Sequence, residues 1–313
     1  MPTNSFNEIG GYFGLEAEDV YNNSSDTIKL NCARNCLRYV IQSFKIKELY
    51  FPYYTCPVVW QAAKKENCKI NFYHIDENLM PIKEFSENDF IVYTNYFGIC
   101  AKNVKRLTQK YKNLIVDNAQ AFYMPRFGIA SFNSLRKFFG VPDGAFLHTD
   151  KRLDSNFEKE ISYNKCDHLL KRIDVSAQFG YEDFCKNDEN FIDADIKLMS
   201  KLSEQIFSQI NLDKAKDIRL KNFEYLKKHL TNEIEWTLDI DDVPMSFPYY
   251  SEDVNLRKKL ILNKIYIAKY WDGIEENGAN INEVKLMNNL IHLPIDQRYN
   301  ELDMKRIVEV INA

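Results

Sequence analysis

Between Glu48 and Asp117 short apolar runs alternate with helical patterns, and no other property restricts the fold as much. Leu49–Pro52, Ile70–Ile75, Phe90–Thr94 and Leu114–Val116 read as strands. Helical patterns separate them: one opens on Pro57 and runs through Trp60, Ala63 and Lys64, another covers Val104–Tyr111. Proline suits the first position of a helix, where its missing N–H is not needed. Strands joined through helices predict a mainly parallel sheet with right-handed crossovers. Leu114-Ile115-Val116 has the composition of a short, buried strand, and it ends on a carboxylate, Asp117. Open α/β sheets place ligand-binding groups at that end of their strands.

Gln120 follows three residues after Asp117. Beyond a turn around Pro125 and Gly128, Ile129–Phe132 reads as another strand, leading into Ser134-Leu135-Arg136-Lys137 and then Gly140, Pro142 and Gly144. A strand-end carboxylate, a nearby amide and a Ser-x-x-Lys turn are the parts needed to hold pyridoxal phosphate (PLP). Lys137 would attach it, Asp117 would keep its pyridine nitrogen protonated, and a serine hydroxyl would contact its phosphate. Taken singly, Asp117 also fits a helix cap, and Lys137 beside Arg136 a basic surface pair. The Ser-x-x-Lys of penicillin-binding enzymes needs Ser-Asp-Asn and Lys-Thr-Gly companions, which are absent.

The flanking sequence divides the chain into an arm at 1–27, a large domain at 28–195, connecting helices at 196–232 and a small α+β domain at 233–313. The arm holds Ile9-Gly10-Gly11-Tyr12-Phe13-Gly14, which reads either as a packed loop or as a lid whose Tyr12 and Phe13 cover a substrate. Ile28-Lys29-Leu30 reads as a strand. The Asn31–Asn35 stretch after it suits the capped start of a helix with Cys36, Leu37, Val40 and Ile41 on one face. Residues 151–195 show no clear pattern. From Asp195 a long helical periodicity runs through Ile196, Met199, Leu202, Ile206 and Ile210 to Leu226. A strand at Phe247–Tyr249, a helix at Leu256–Leu262, a strand at Leu290–Leu293 and a final helix after Asn300 complete the reading.

Composition narrows the class. A 313-residue chain with 45% hydrophobic content can bury a large core, and a net charge of −4 gives no pull toward nucleic acid or an acidic membrane. No apolar run approaches a membrane span, and the first residues lack the regions of a signal peptide. Seven scattered cysteines, without Cys-x-x-Cys, read as reduced residues of a cytoplasmic protein and neither as a disulfide frame nor as a metal site.

Several segments together resemble the DegT–StrS family of PLP-dependent sugar aminotransferases. They are LYFPYYTCPVVWQAAKKENCKINFYHID, LIVDNAQAF, SLRKFFGVPDGAFL, LILNKIYIAKYW and NLIHLPIDQRY. The resemblance implies PLP fold type I, an α/β architecture with a mainly parallel mixed sheet flanked by helices and a smaller C-terminal α+β domain. It implies Lys137 as the catalytic, cofactor-bearing lysine, Asp117 on the pyridine nitrogen and Gln120 on the ring's phenolic oxygen. Ala33 and Arg34 stand where the family has Gly-Thr, their backbone N–H groups facing the phosphate. Ser134, with Ser131 as the second candidate, would add a hydroxyl there, and Tyr54 or Thr55 would lie near the ring face. It implies a homodimer that transfers an amino group from an amino acid such as glutamate to a keto-sugar, nucleotide-linked, in polysaccharide or amino-sugar biosynthesis. Departures include Arg34 for threonine, Pro142-Asp143-Gly144-Ala145 for Gly-Glu-Gly-Gly, and Gly180-Tyr181-Glu182 for Gly-Tyr-Asn. The alternatives are a PLP enzyme of another reaction type and a non-catalytic relative that serves as a binding partner.

Overall fold

The alternating segments build one seven-stranded sheet of order β1-β7-β6-β5-β4-β2-β3 in a computed structural model that describes Leu15 and residues 26–313. Its strands are β1 (Ile28–Leu30), β2 (Glu48–Pro52), β3 (Lys69–Tyr73), β4 (Ile91–Thr94), β5 (Leu114–Asn118), β6 (Ala130–Asn133) and β7 (Ala145–Thr149). β2 to β6 pair in parallel, and only β7 runs against its neighbours β6 and β1. Every residue of β4 and β5 is buried, as expected of central parallel strands covered on both faces. Alternation along β5 sends Ile115 to one face and Val116 to the other. On the Ile115 face pack α1 (Ala33–Phe44) and α2 (Pro57–Lys65); on the Val116 face packs α3 (Ala101–Lys110). Pro57 is the first residue of α2.

The C-terminal elements settle on the α3 side. They follow α4 (Asp167–Asp174), α5 (Tyr181–Glu189), α6 (Lys201–Ser208) and α7 (Leu212–His229). β8 (Ser246–Tyr250) and β9 (Leu290–Pro294) form an antiparallel pair, surrounded by α8 (Leu256–Leu262), α9 (Ile281–Asn289) and α10 (Glu301–Asn312). Phe223, Phe247, Leu260, Met304 and Ile307 join the same apolar cluster as Val104, Leu107 and Val116, so a continuous core links the two sheets.

The long helical periodicity after Asp195 is not one helix. Residues 196–200 run extended along the outer edge of β1, where Asn31 N–H donates to Lys197 O at 2.9 Å and Met199 N–H to Lys29 O at 3.0 Å. An edge strand with unpaired backbone groups offers more hydrogen bonds there than another helical turn would. Helix begins only at α6, where the Ser200 hydroxyl accepts from Ser203 N–H, and again at α7 behind an Asn211 cap. The buried Asp143 carboxylate takes the Ser200 amide at 2.9 Å and its hydroxyl at 2.6 Å, and so pins this joint to the sheet. Asn31 and Asn35 do not cap α1 either. Both side chains donate to Asp195 O, at 3.1 and 2.7 Å, and secure the extended segment instead.

Glu283 joins α9 to the large sheet. Fully buried, it completes the helix's capping box with Asn280 and accepts from Ile75 N–H at 2.9 Å. Glu283→Ala orphans the buried Ile75 N–H and the half-buried Asn280 N–H and is expected to cost about 2–3 kcal/mol. A urea titration checks this: the midpoint should fall with little change in slope, and an unchanged midpoint would contradict it.

Candidate active site

The C-terminal ends of β4 and β5 and the start of α1 enclose the residues singled out by the sequence. Asp117 is 3% exposed and sits beside Thr94 and Phe132 in the sheet register. Its Oδ1 accepts from Ala119 N–H at 2.8 Å. Burial raises its pKa, and the positive charge of Lys137 opposes the rise. Lys137 closes a single 3-10 turn, Leu135–Lys137, with its side chain exposed. Its ammonium makes no hydrogen bond or ion pair among the described residues.

The turn that carries Lys137 is held from four directions. Leu135 N–H donates to Gly144 O at 3.1 Å, and Gly144 N–H to Asn31 O at 2.8 Å. The next carbonyl, Phe138 O, accepts from Arg219 Nη2 at 3.3 Å and from Gln297 Nε2 at 2.7 Å. Arg219, from α7, is 1% exposed, and its guanidinium also reaches Met245 O at 3.1 Å and lies over the Phe138 ring. Burial lowers its pKa to about 10, which leaves it charged near neutrality. The sequence held a signal for Arg219, because Ala215, Arg219, Asn222, Phe223 and Leu226 share the buried face of α7.

Gln120 is oriented by a strained turn. Phe97, at φ 57°, donates its N–H to Gln120 Oε1 at 3.0 Å. The next residue must be glycine: a Cβ on Gly98 (φ +73°) would meet Val243 O at 2.5 Å and Gln120 O at 2.8 Å. Because a backbone N–H faces the amide oxygen, the NH2 group must point the other way. That Nε2 is buried and has no partner. A buried donor left unpaired costs about 1–3 kcal/mol, so it marks a place for an acceptor.

Thr55 and Tyr54 part company. Thr55 Oγ1 lies 2.9 Å from Thr94 Oγ1, at the strand end beside Asp117. The Tyr54 ring is fully buried, stacked on Tyr96 and edge-on to Trp271, with its hydroxyl unpartnered. Phe97, Tyr270 and Trp271 continue that aromatic wall to His292, whose ring centroid is 4.4 Å from that of Phe97.

At α1 the first turn is open. Cys32 is its N-cap residue without a side-chain cap, Ala33 and Arg34 are its first two residues, and the turn contains no acid. The Arg34 guanidinium turns to Asp188 of α5, with Nη2 to Oδ2 at 3.2 Å and Nη1 to the backbone oxygen at 3.2 Å. Arg136 meets the other oxygen of the same carboxylate at 3.0 Å. Asp188 lies in the stretch without periodicity, and nothing in the sequence pointed to it. Ser134 occupies the N-cap position of the lysine turn, half-buried, and its hydroxyl makes no capping bond. Ser131 alternates with Ala130 and Phe132, which pack with α1, so it faces away from α1. Tyr12 and Phe13 lie outside the described residues.

No protein-family model matches the sequence, and no curated protein matches it. Solved structures do match. A DegT DnrJ EryC1 StrS aminotransferase from Brucella abortus superposes with a TM-score of 0.59 at 14% identity, covering 91% of this chain and 85% of that one. NtdA from Bacillus subtilis, with bound PMP, gives 0.66 at 13% identity over 91% and 72% of the two chains. A GDP-4-keto-6-deoxymannose-3-dehydratase with bound GDP-perosamine gives 0.63 at 13% identity over 91% and 88%. The chain therefore has the mixed, mainly parallel fold of the type I PLP enzymes expected from its sequence.

His292 yields a pH test for the aromatic wall. It is 4% exposed, its Nδ1 lies 3.1 Å from Ser246 Oγ, and burial lowers its pKa to about 3. The unfolded value is about 6.5. A depressed folded pKa contributes stability that is present above about pH 6.5 and lost as pH falls toward about 3. Wild type should therefore lose stability over that window faster than His292→Gln. Parallel curves in acid denaturation would exclude this.

Proposed function

We propose that this chain binds PLP and acts as an aminotransferase that moves an amino group from an amino acid, such as glutamate, to a nucleotide-linked keto-sugar. One observation carries the reading: an unpaired lysine ammonium close to a desolvated carboxylate, with an unpartnered amide donor three residues beyond that carboxylate. These needs are complementary to the cofactor. Asp117 lacks a full cationic partner, and a protonated pyridine nitrogen is one. Gln120 Nε2 lacks an acceptor, and a phenolic oxygen is one. The open first turn of α1, with Ala33 keeping its surface small, suits a phosphate group. When bound, PLP supplies an electron sink for the substrate carbon.

The chain's own residues would then divide the work. Lys137 holds the cofactor and moves a proton at the substrate carbon, and its exposure leaves the amine room to reach both. Asp117 fixes the charge of the ring nitrogen from a buried position that water does not screen. Gln120, oriented by the Phe97 amide, would donate from Nε2 to the ring's phenolic oxygen. Thr55 and Thr94, beside Asp117, would stand near the ring, and Ser134 would offer its hydroxyl to the phosphate. Tyr12 and Phe13 are proposed as contacts of the acceptor.

The sugar assignment draws support from the structural neighbours, among them a sugar aminotransferase from Micromonospora echinospora and the dehydratase bound to GDP-perosamine. That dehydratase also favours a second reading, a PLP reaction other than transamination on a similar substrate, because the same fold carries both. A homodimer is part of the proposal. α4 and α5 expose Leu170, Ile173, Tyr181 and Phe184, with Val175 and Phe179 between them, a concentration of apolar surface that a second copy would cover.

Borohydride reduction with PLP should leave a mass adduct on Lys137, and Lys137→Ala should abolish it together with turnover. Saturation with PLP and no adduct on this lysine would overturn the assignment. Asp117→Asn should keep the adduct but lower turnover by about a hundredfold or more, since the protonated ring nitrogen loses its counter-charge. Incubation with glutamate separates the two reaction readings: an aminotransferase releases 2-oxoglutarate in step with acceptor amination.

A further inference from the structure

Beside the lysine turn, two arginines from different elements share one replaceable carboxylate. Arg34 comes from the first turn of α1 and Arg136 from the residue before Lys137, and their side chains are 13% and 12% exposed. Asp188, which bridges them, is 51% exposed. With about half of its side chain in water, Asp188 can turn out to solvent, whereas the two largely buried guanidinium groups cannot follow it. The arginines are placed more firmly than their partner. Arg136 lies over the ring of the buried Phe191, and Arg34 is anchored by its place in the packed helix α1. Burial pushes the Asp188 carboxyl up, but Arg136, Arg34 and Lys137 outweigh it and hold it below the usual carboxylate range, so three positive charges act on this one carboxylate.

We infer that Arg34 and Arg136 form a phosphate-binding site that Asp188 occupies in the free chain and leaves when a phosphate group enters. Two planar guanidinium forks suit a tetrahedral dianion better than they suit one carboxylate, because a phosphate offers three oxygens to their several N–H donors. The uncapped start of α1, without an acid in its first turn, favours the same sign of ligand. The inference rests on the PLP reading for the identity of the phosphate, which is either the cofactor's own or that of a nucleotide-linked substrate. Asp188 then acts as an internal counter-ion. It keeps the two arginines from repelling one another in the apoprotein, and its departure loosens the contact between α5 and the lysine turn.

Titration of the full-length apoprotein tests the site with PLP, pyridoxal, GDP and inorganic phosphate. Arg34→Gln with Arg136→Gln should weaken PLP on the order of ten- to a hundredfold and leave pyridoxal unchanged. A loss confined to GDP would support the site and assign its phosphate to the substrate. Asp188→Asn should tighten the same ligand several-fold; equal weakening by Asp188→Asn would overturn the displacement. Arg34→Lys and Arg136→Lys, which keep the charge without the fork, should fall between, and circular dichroism checks that each variant folds. If a lysine adduct forms in wild type while the double glutamine variant still prefers PLP over pyridoxal to the same degree and binds GDP as before, the PLP reading stands and the arginine site fails. If no adduct forms, yet inorganic phosphate raises the Tm of wild type and not of the double variant, the site stands and the PLP reading fails.

Discussion

A carboxylate held out of water at the end of a buried central strand must be balanced, and much of the site follows from Asp117. Its burial is fixed by the sheet: β5 lies between β4 and β6, with helices on both faces, so the side chain cannot reach solvent. Only one backbone N–H, that of Ala119, satisfies it directly, and Lys137 supplies the nearby positive charge. A desolvated acid with a single firm hydrogen bond is an unstable arrangement unless something cationic is meant to arrive. Gln120 shows the same incompleteness from the donor side. Local rigidity maintains both, since Gly98 and the left-handed Phe97 leave the Gln120 amide no alternative orientation.

Strain and burial cluster here and are compensated elsewhere. Trp271, like Phe97, adopts a positive φ, and the two rings stack against each other with centroids 6.2 Å apart. Neither conformation would persist in an exposed loop. The continuous core that joins the two sheets holds them, and it places the aromatic wall next to Gln120.

Much of this could be read from residue order, and the exceptions have physical causes. The strands around Asp117 were legible because a buried parallel sheet needs continuous apolar runs. The α8 and α10 boundaries were legible because Asn300 and the apolar spacing of Leu256–Leu262 are local signals. Residues 196–200 carry helical spacing yet run extended, because their backbone bonds are made to a distant strand edge that no local pattern announces. In the site, Asp117, Gln120 and Lys137 were visible as a sequence-local set. Gln297 and Asp188 were not, and Arg219 showed only as one buried position on the inner face of α7, since each acts on residues far away in the chain through a carbonyl or charge that is not local. Tyr54 could be placed near the site from sequence, but the aromatic partners that claim its ring come from segments 42 and more residues away.

The double clamp on Phe138 O sets an order of assembly. Arg219 lies 81 residues beyond the carbonyl it holds, and Gln297 lies 159 residues beyond it. During synthesis the parallel sheet can therefore form and close over its helices while the lysine turn still lacks both of its last donors. Contacts of such long sequence separation are made late, because the loop entropy is lost before the bond is gained. A nascent chain would carry a nearly native sheet and an unfinished lysine turn, so competence to hold a ligand would lag behind the appearance of secondary structure.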